Sequence, residues 1–334
     1  MIKTLRNSLL LLLLLPAFFA AAQNVPDLLR EGSELQKSKN YTAAIEKYKA
    51  ALAADPANVT AKYQLAFALN TAGRGTEALP YLQDVVNAAP TAPVLLSSYT
   101  LMAGIYDRSG QAAKAISAYK TAIELDSASY DLNYGLGLAY FRNKQYVEAE
   151  QRAVNALRLN SRQPASLRLY GLVTFHQNER APALLSLCSF LYLDPKGNRA
   201  DEAYSNIQSI IQGGVLKTEP GQKAPQPSAE ALALNQAITN AVAGVESKKP
   251  YKYAEKFSDQ LKAIFTAVGT LAQKQSGNRY FRTQLASTYY KLSQSPHMQA
   301  FAFYISQAND KRAAAWVAAN AQQVESMNKW MAAN

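Results

Sequence analysis

Side chains able to do chemistry are few in this chain and poorly spaced for it. His176 and His297 stand 121 residues apart, and neither has a second histidine or a cysteine nearby at the spacing a metal site needs. The one cysteine, Cys188, lies in the apolar run LLSLCSFLYL at 184–193. That setting suits a buried thiol acting as a small hydrophobe, whereas nucleophilic thiols sit in exposed, electropositive places. There is no glycine-rich phosphate loop and no Gly-x-Ser-x-Gly elbow. Serines and acids are scattered, so nothing proposes a triad. The inventory predicts no metal, no cofactor and no enzyme.

What remains is chemistry of contact. KKPYKYAEK at 248–256 interleaves Lys248, Lys249, Lys252 and Lys256 with Tyr251 and Tyr253. Such a run can dock on nucleic acid or an anionic glycan. It reads better as a solvated turn whose tyrosines cover the helices behind it, since the following segments carry no comparable basic stripe. Trp316, Trp330 and Met331 recur at amphipathic spacing and read as core or interface anchors. NYT at 40 and NVT at 58 match the glycosylation pattern, which matters only on a eukaryotic secretory route.

The first 22 residues have the form of a cleavable leader: basic MIKTLRNS, seven leucines from Leu9 to Leu15, Pro16, then Ala20-Ala21-Ala22. The apolar run is too short to span a bilayer, and no later stretch is long and apolar enough to do so. Export into an oxidising compartment follows, to a bacterial periplasm or the exterior, without an internal disulfide. Charge is uneven. Residues 23–163 hold 15 basic and 13 acidic side chains, 164–215 hold 4 and 4, and 216–334 hold 14 and 7, so the positive excess is C-terminal and favours acidic surfaces or polymers.

The elements come from a repeat. A 34-residue period aligns 25–58, 59–92, 96–129, 130–163 and 164–197, with an insert at Pro93 to Leu95. A small residue recurs at the eighth position (Gly32, Ala66, Ala103, Gly137, Gly171) and alanine at the twentieth (Ala44, Ala78, Ala115, Ala149, Ala183). Two helices approach closely only where neither carries bulk. Larger residues stand beside them, such as Leu35, Tyr106 and Tyr140 at the eleventh position and Tyr48, Leu82 and Tyr119 at the twenty-fourth. Pro56, Pro90 and Pro195 mark where second helices stop, and Gly73 and Gly110 mark turns within blocks.

Over 25–197 this pattern resembles the tetratricopeptide repeat (TPR) proteins. The resemblance implies an all-α fold: a right-handed TPR superhelix of five helical hairpins. NRADEAYSNIQSIIQGG at 198–214 fits a capping helix, so the repeat domain is expected over 25–214. The resemblance also implies a concave groove lined by each block's first helix, at its second, fifth, ninth, twelfth and thirteenth positions. Carried over residue by residue, these are Tyr63, Phe67, Asn70 and Thr71, then Thr100, Asp107 and Arg108. The fourth block gives Asp131, Tyr134, Leu138, Phe141 and Arg142, and the fifth Arg168, Leu172, Phe175 and His176. Rigid aromatics beside arginine and amide groups are the composition of a binding surface. The family's clamp for a C-terminal carboxylate needs lysine and asparagine in its first repeat, where this chain has Leu29 and Ser33, so a chaperone-tail receptor is not expected.

KTEPGQKAPQPS at 217–228 reads as an extended connector, placing a linker at 215–228. Beyond it, 229–334 is predicted to be a basic all-helical unit, a small bundle, with helices at about 229–246, 251–275, 279–293, 297–308 and 310–331. The leading expectation is a noncatalytic scaffold or adaptor in the bacterial envelope, holding a peptide or partner domain in the groove. The alternatives are a module that binds anionic cell-wall polymer through the basic bundle, and a wall hydrolase with a site there. Nucleic acid is not an expected partner, nor is a membrane span after leader cleavage.

Overall fold

The structure, a computed structural model, describes residues 24–88, 90–214, 226–247 and 253–334. The leader, most of the connector and Lys248 to Lys252 of the lysine–tyrosine run lie outside them. The described residues are helical, with no strand among them. They divide into two compact units, one through Asp126 and one from Ser127.

The first unit holds three hairpins: α1 Val25–Lys37 with α2 Tyr41–Ala54, α3 Val59–Thr71 with α4 Gly75–Asn87, and α5 Ala92–Arg108 with α6 Ala112–Leu125. Each pair closes where the sequence is small. Ala44, Ala66, Ala78, Ala103 and Ala115 are fully buried, and a methyl group on Gly32 would lie 2.5 Å from the Tyr48 ring. Asn40 and Asn58, the two glycosylation-pattern asparagines, are helix N-caps, their side chains accepting from the Ala43 and Ala61 N–H groups at 3.3 and 2.9 Å. The insert at Pro93 to Leu95 makes no loop. It starts α5 a turn early, giving that helix 17 residues.

The second unit begins with α7 Tyr130–Arg142, α8 Tyr146–Leu159, α9 Pro164–His176, α10 Arg180–Leu193 and α11 Ala200–Ile211. It continues with α12 Ala229–Glu246, α13 Tyr253–Ala272, a π-helical segment Phe281–Ala286 running into α14 Ser287–Ser293, then α15 Met298–Ser306, α16 Lys311–Ala319 and α17 Ala321–Ala333. Here α10 is apolar on every side, and a helix of that kind must be buried all round. It packs against α9, α11, α12, α15 and the π-helical segment. The helices beyond the connector therefore share a compact unit with the fourth and fifth hairpins, a division the composition at 215–228 did not suggest. The last predicted helix is two, broken at Asn320, whose side-chain amide donates to the Trp316 carbonyl at 2.8 Å.

All five hairpins turn in the same way. The fifteenth residue of every block has positive φ: Lys39 at 62°, Gly73 at 80°, Gly110 at 74°, Lys144 at 58° and Asn178 at 60°. The following N–H then reaches back to the helix it leaves, as Asn40 to the Leu35 carbonyl at 2.9 Å and Glu179 to Thr174 at 2.8 Å. Gly213 ends α11 likewise, with Gly214 N–H donating to the Ser209 carbonyl at 2.8 Å.

Candidate functional site

In the first unit, residues recurring about every turn along α3 and α5 face one cleft. Its volume is about 350 Å³, and Tyr63, Phe67, Asn70, Leu96, Leu101 and Arg108 border it. Phe67 is 38% exposed, a large apolar ring left partly in water. The Arg108 guanidinium donates to the Asn70 side-chain oxygen at 2.5 Å and so joins the ends of the two helices. Four of the expected site residues, Tyr63, Phe67, Asn70 and Arg108, thus meet here. Thr100 borders the same cleft and Asp107 is half-buried in α5. Leu96 and Leu101 were missed, Leu96 because it lies beside the insert, outside the positions the family pattern supplies. An added helical turn at Pro93 to Leu95 was the available signal.

In the second unit, Tyr134 and Leu138 are half-buried on α7 and Arg142 is exposed. Tyr134 stacks on Tyr130 with centroids 6.1 Å apart and planes 4° from parallel. The half-buried Phe141 meets the His176 ring edge-on at 5.2 Å, and Tyr146 at the start of α8 stacks on His176 at 4.8 Å. Tyr146 belongs to a second helix, so a first-helix pattern could not find it. Burial, reinforced by the charge of Lys144, holds the His176 imidazole below its ordinary range, so it is neutral at neutral pH and serves as an aromatic surface.

Two expected contacts are otherwise engaged. Phe175 is 1% exposed and belongs to the core, a correction to its place on the wall: the twelfth position turns inward in this block, where α9 packs against the apolar α10. Arg168 is half-buried and donates to both carboxylate oxygens of Glu202 at 2.9 Å each, tying α9 to α11.

The Cys188 thiol is fully buried and burial pushes its pKa far up, which suits a core residue and not a nucleophile. Among the described residues no three His, Cys, Asp or Glu side chains are grouped to hold a metal. No helix among them is long and apolar enough to cross a membrane. The surfaces described offer rings, a guanidinium and amides, which is an arrangement for contact.

A family described as "Psidin, N-terminal TPR repeats region" matches residues 34–167. No curated protein matches the chain. Among solved structures it is similar to YrrB, described as a TPR protein with an unusual peptide-binding site, at 15% identity and a TM-score of 0.49, covering 55% of this chain and 92% of that one. It is also similar to a tetratricopeptide repeat protein from Parabacteroides merdae, at 16% identity and a TM-score of 0.48, covering 81% and 99%. A third is MamA, at 19% identity and a TM-score of 0.46, covering 52% and 93%.

Proposed function

We propose that this chain, whose residues 34–167 match a family of tetratricopeptide repeats, is a noncatalytic scaffold that holds a peptide or partner domain against its first-helix faces, the α3–α5 cleft foremost. The observation that carries this is the cleft itself, with Phe67 exposed at its border and the Arg108–Asn70 pair at one end. An aromatic ring partly in water gains from being covered, and a guanidinium that already holds an amide can fix the register of what covers it. In the second unit Tyr134, Leu138 and Arg142 offer a similar surface.

The leader-like first 22 residues support work in the bacterial envelope. Cell fractionation of the chain with and without those residues tests that part, and an unchanged distribution would reject it.

The groove is tested by a photo-crosslinking residue placed at Phe67 in living cells, against the same residue at Leu125, which is 42% exposed on α6. A discrete adduct from position 67, absent at 125 and lost with Tyr63→Ala and Arg108→Ala together, is expected. Equal adducts from both positions would refute the cleft as the binding place.

A further inference from the structure

A different surface lies in the second unit, outside the first-helix faces. Two clefts of about 510 and 580 Å³ separate α8 from the residues before and within the π-helical segment, and both are bordered by Arg158 and Arg279. The larger is completed by Ser161, Tyr280, Thr283 and Gln284, with no carboxylate on its border. Both arginines are exposed, and neither has an acidic partner among the described residues.

Tyr280 is the second observation. Its ring is only 5% exposed and rests edge-on against Tyr170 at 5.7 Å, yet its hydroxyl has no hydrogen-bond partner among the described residues. Burial raises its pKa, so it remains a protonated donor at neutral pH. Its place on the border of the larger cleft leaves that hydroxyl open to whatever enters.

We propose that this cleft binds a stretch of acidic polysaccharide, with a uronate carboxylate between Arg158 and Arg279 and sugar hydroxyls at Tyr280, Ser161 and Gln284. Guanidinium forks match planar carboxylates, and the hydroxyl and amide groups around them match a sugar's. A peptide held by apolar anchors finds no seat here, and an acidic one is what hexaglutamate tests. The only apolar side chain on this border, Leu157, is fully buried and offers no surface. The positive excess of residues 216–334 would draw a polyanion toward this unit.

The test is calorimetric titration of the full chain with hexagalacturonate, with a neutral hexasaccharide and hexaglutamate as comparators. Saturable binding of hexagalacturonate alone is expected, weakening as salt rises. Arg158→Gln with Arg279→Gln should weaken it about tenfold or more and Arg279→Lys several-fold, as the fork is lost. Tyr280→Phe, which removes only the hydroxyl, should cost a few-fold, with thermal unfolding of all variants unchanged. Absence of binding, undiminished binding by the double variant, or equal affinity for hexaglutamate would overturn the proposal. None of these outcomes bears on crosslinking at Phe67.

Discussion

A side chain at Gly171 would have nowhere to go: a methyl group there lies 2.9 Å from Leu187 and 3.4 Å from the Ala183 carbonyl. Gly171→Ala should therefore cost about 1–3 kcal/mol in denaturant unfolding, since the buried Leu187 side chain must shift to admit it. The turn position makes the opposite case. Lys39 is exposed and held at a φ of 62°, where a β-carbon is crowded. Lys39→Gly should stabilise by about 1 kcal/mol, less whatever the more flexible unfolded chain takes back. Glu179 ties stability to pH. Burial, aided by the charge of Glu150, raises its carboxyl from 4.5 to about 7. Between those values the folded state binds more protons than the unfolded one, so this group's contribution falls as pH rises from 4.5 to about 7. Glu179→Gln should match the parent near pH 4 and exceed it at pH 8 by on the order of 1–2 kcal/mol, read from unfolding midpoints across pH.

At the scale of elements, α12 is docked onto α10 by one amide. The Asn235 oxygen accepts from the Arg180 N–H at 3.0 Å, and its NH2 group donates to the Asn178 carbonyl at 2.7 Å. The Arg180 guanidinium completes the joint, reaching the Thr239 hydroxyl at 3.2 Å and the Ile210 carbonyl at 2.5 Å. Burial lowers its pKa, and the bonds go to neutral oxygens. Asn235→Ala leaves a buried donor and acceptor unpaired, a loss of about 1–3 kcal/mol. Hydrogen exchange should then quicken over 229–246 and stay unchanged in α1 to α6. Helical spacing identified the buried face of α12, Leu234, Ile238 and Val242, but was silent on what covers it.

At the scale of the whole molecule, stability should be graded along the repeats, because each hairpin is held by its neighbours. Only Leu28 and Gly32 are buried in α1, whereas α10 is buried almost throughout. Amide exchange should thus be fastest in α1 and slowest in α10; equal protection in the two would contradict the gradation. Sequence alone determined the hairpins of 25–197, their crossing points and the turns at Gly73 and Gly110, because those depend on contacts within one period, where a small side chain leaves its mark at a fixed position; the left-handed Lys39, Lys144 and Asn178 carry no such mark. The family resemblance put Tyr63, Phe67, Asn70 and Arg108 on first-helix faces, and the structure sets all four around one cleft. Tertiary structure decided that Phe175 is core, that Arg168 is bound to Glu202, and that the helices after 228 share a unit with α7 to α11. A helical period fixes which face of a helix is apolar and cannot say which distant segment will cover it, and a cleft such as that of Arg158 and Arg279 exists only once two such segments have met.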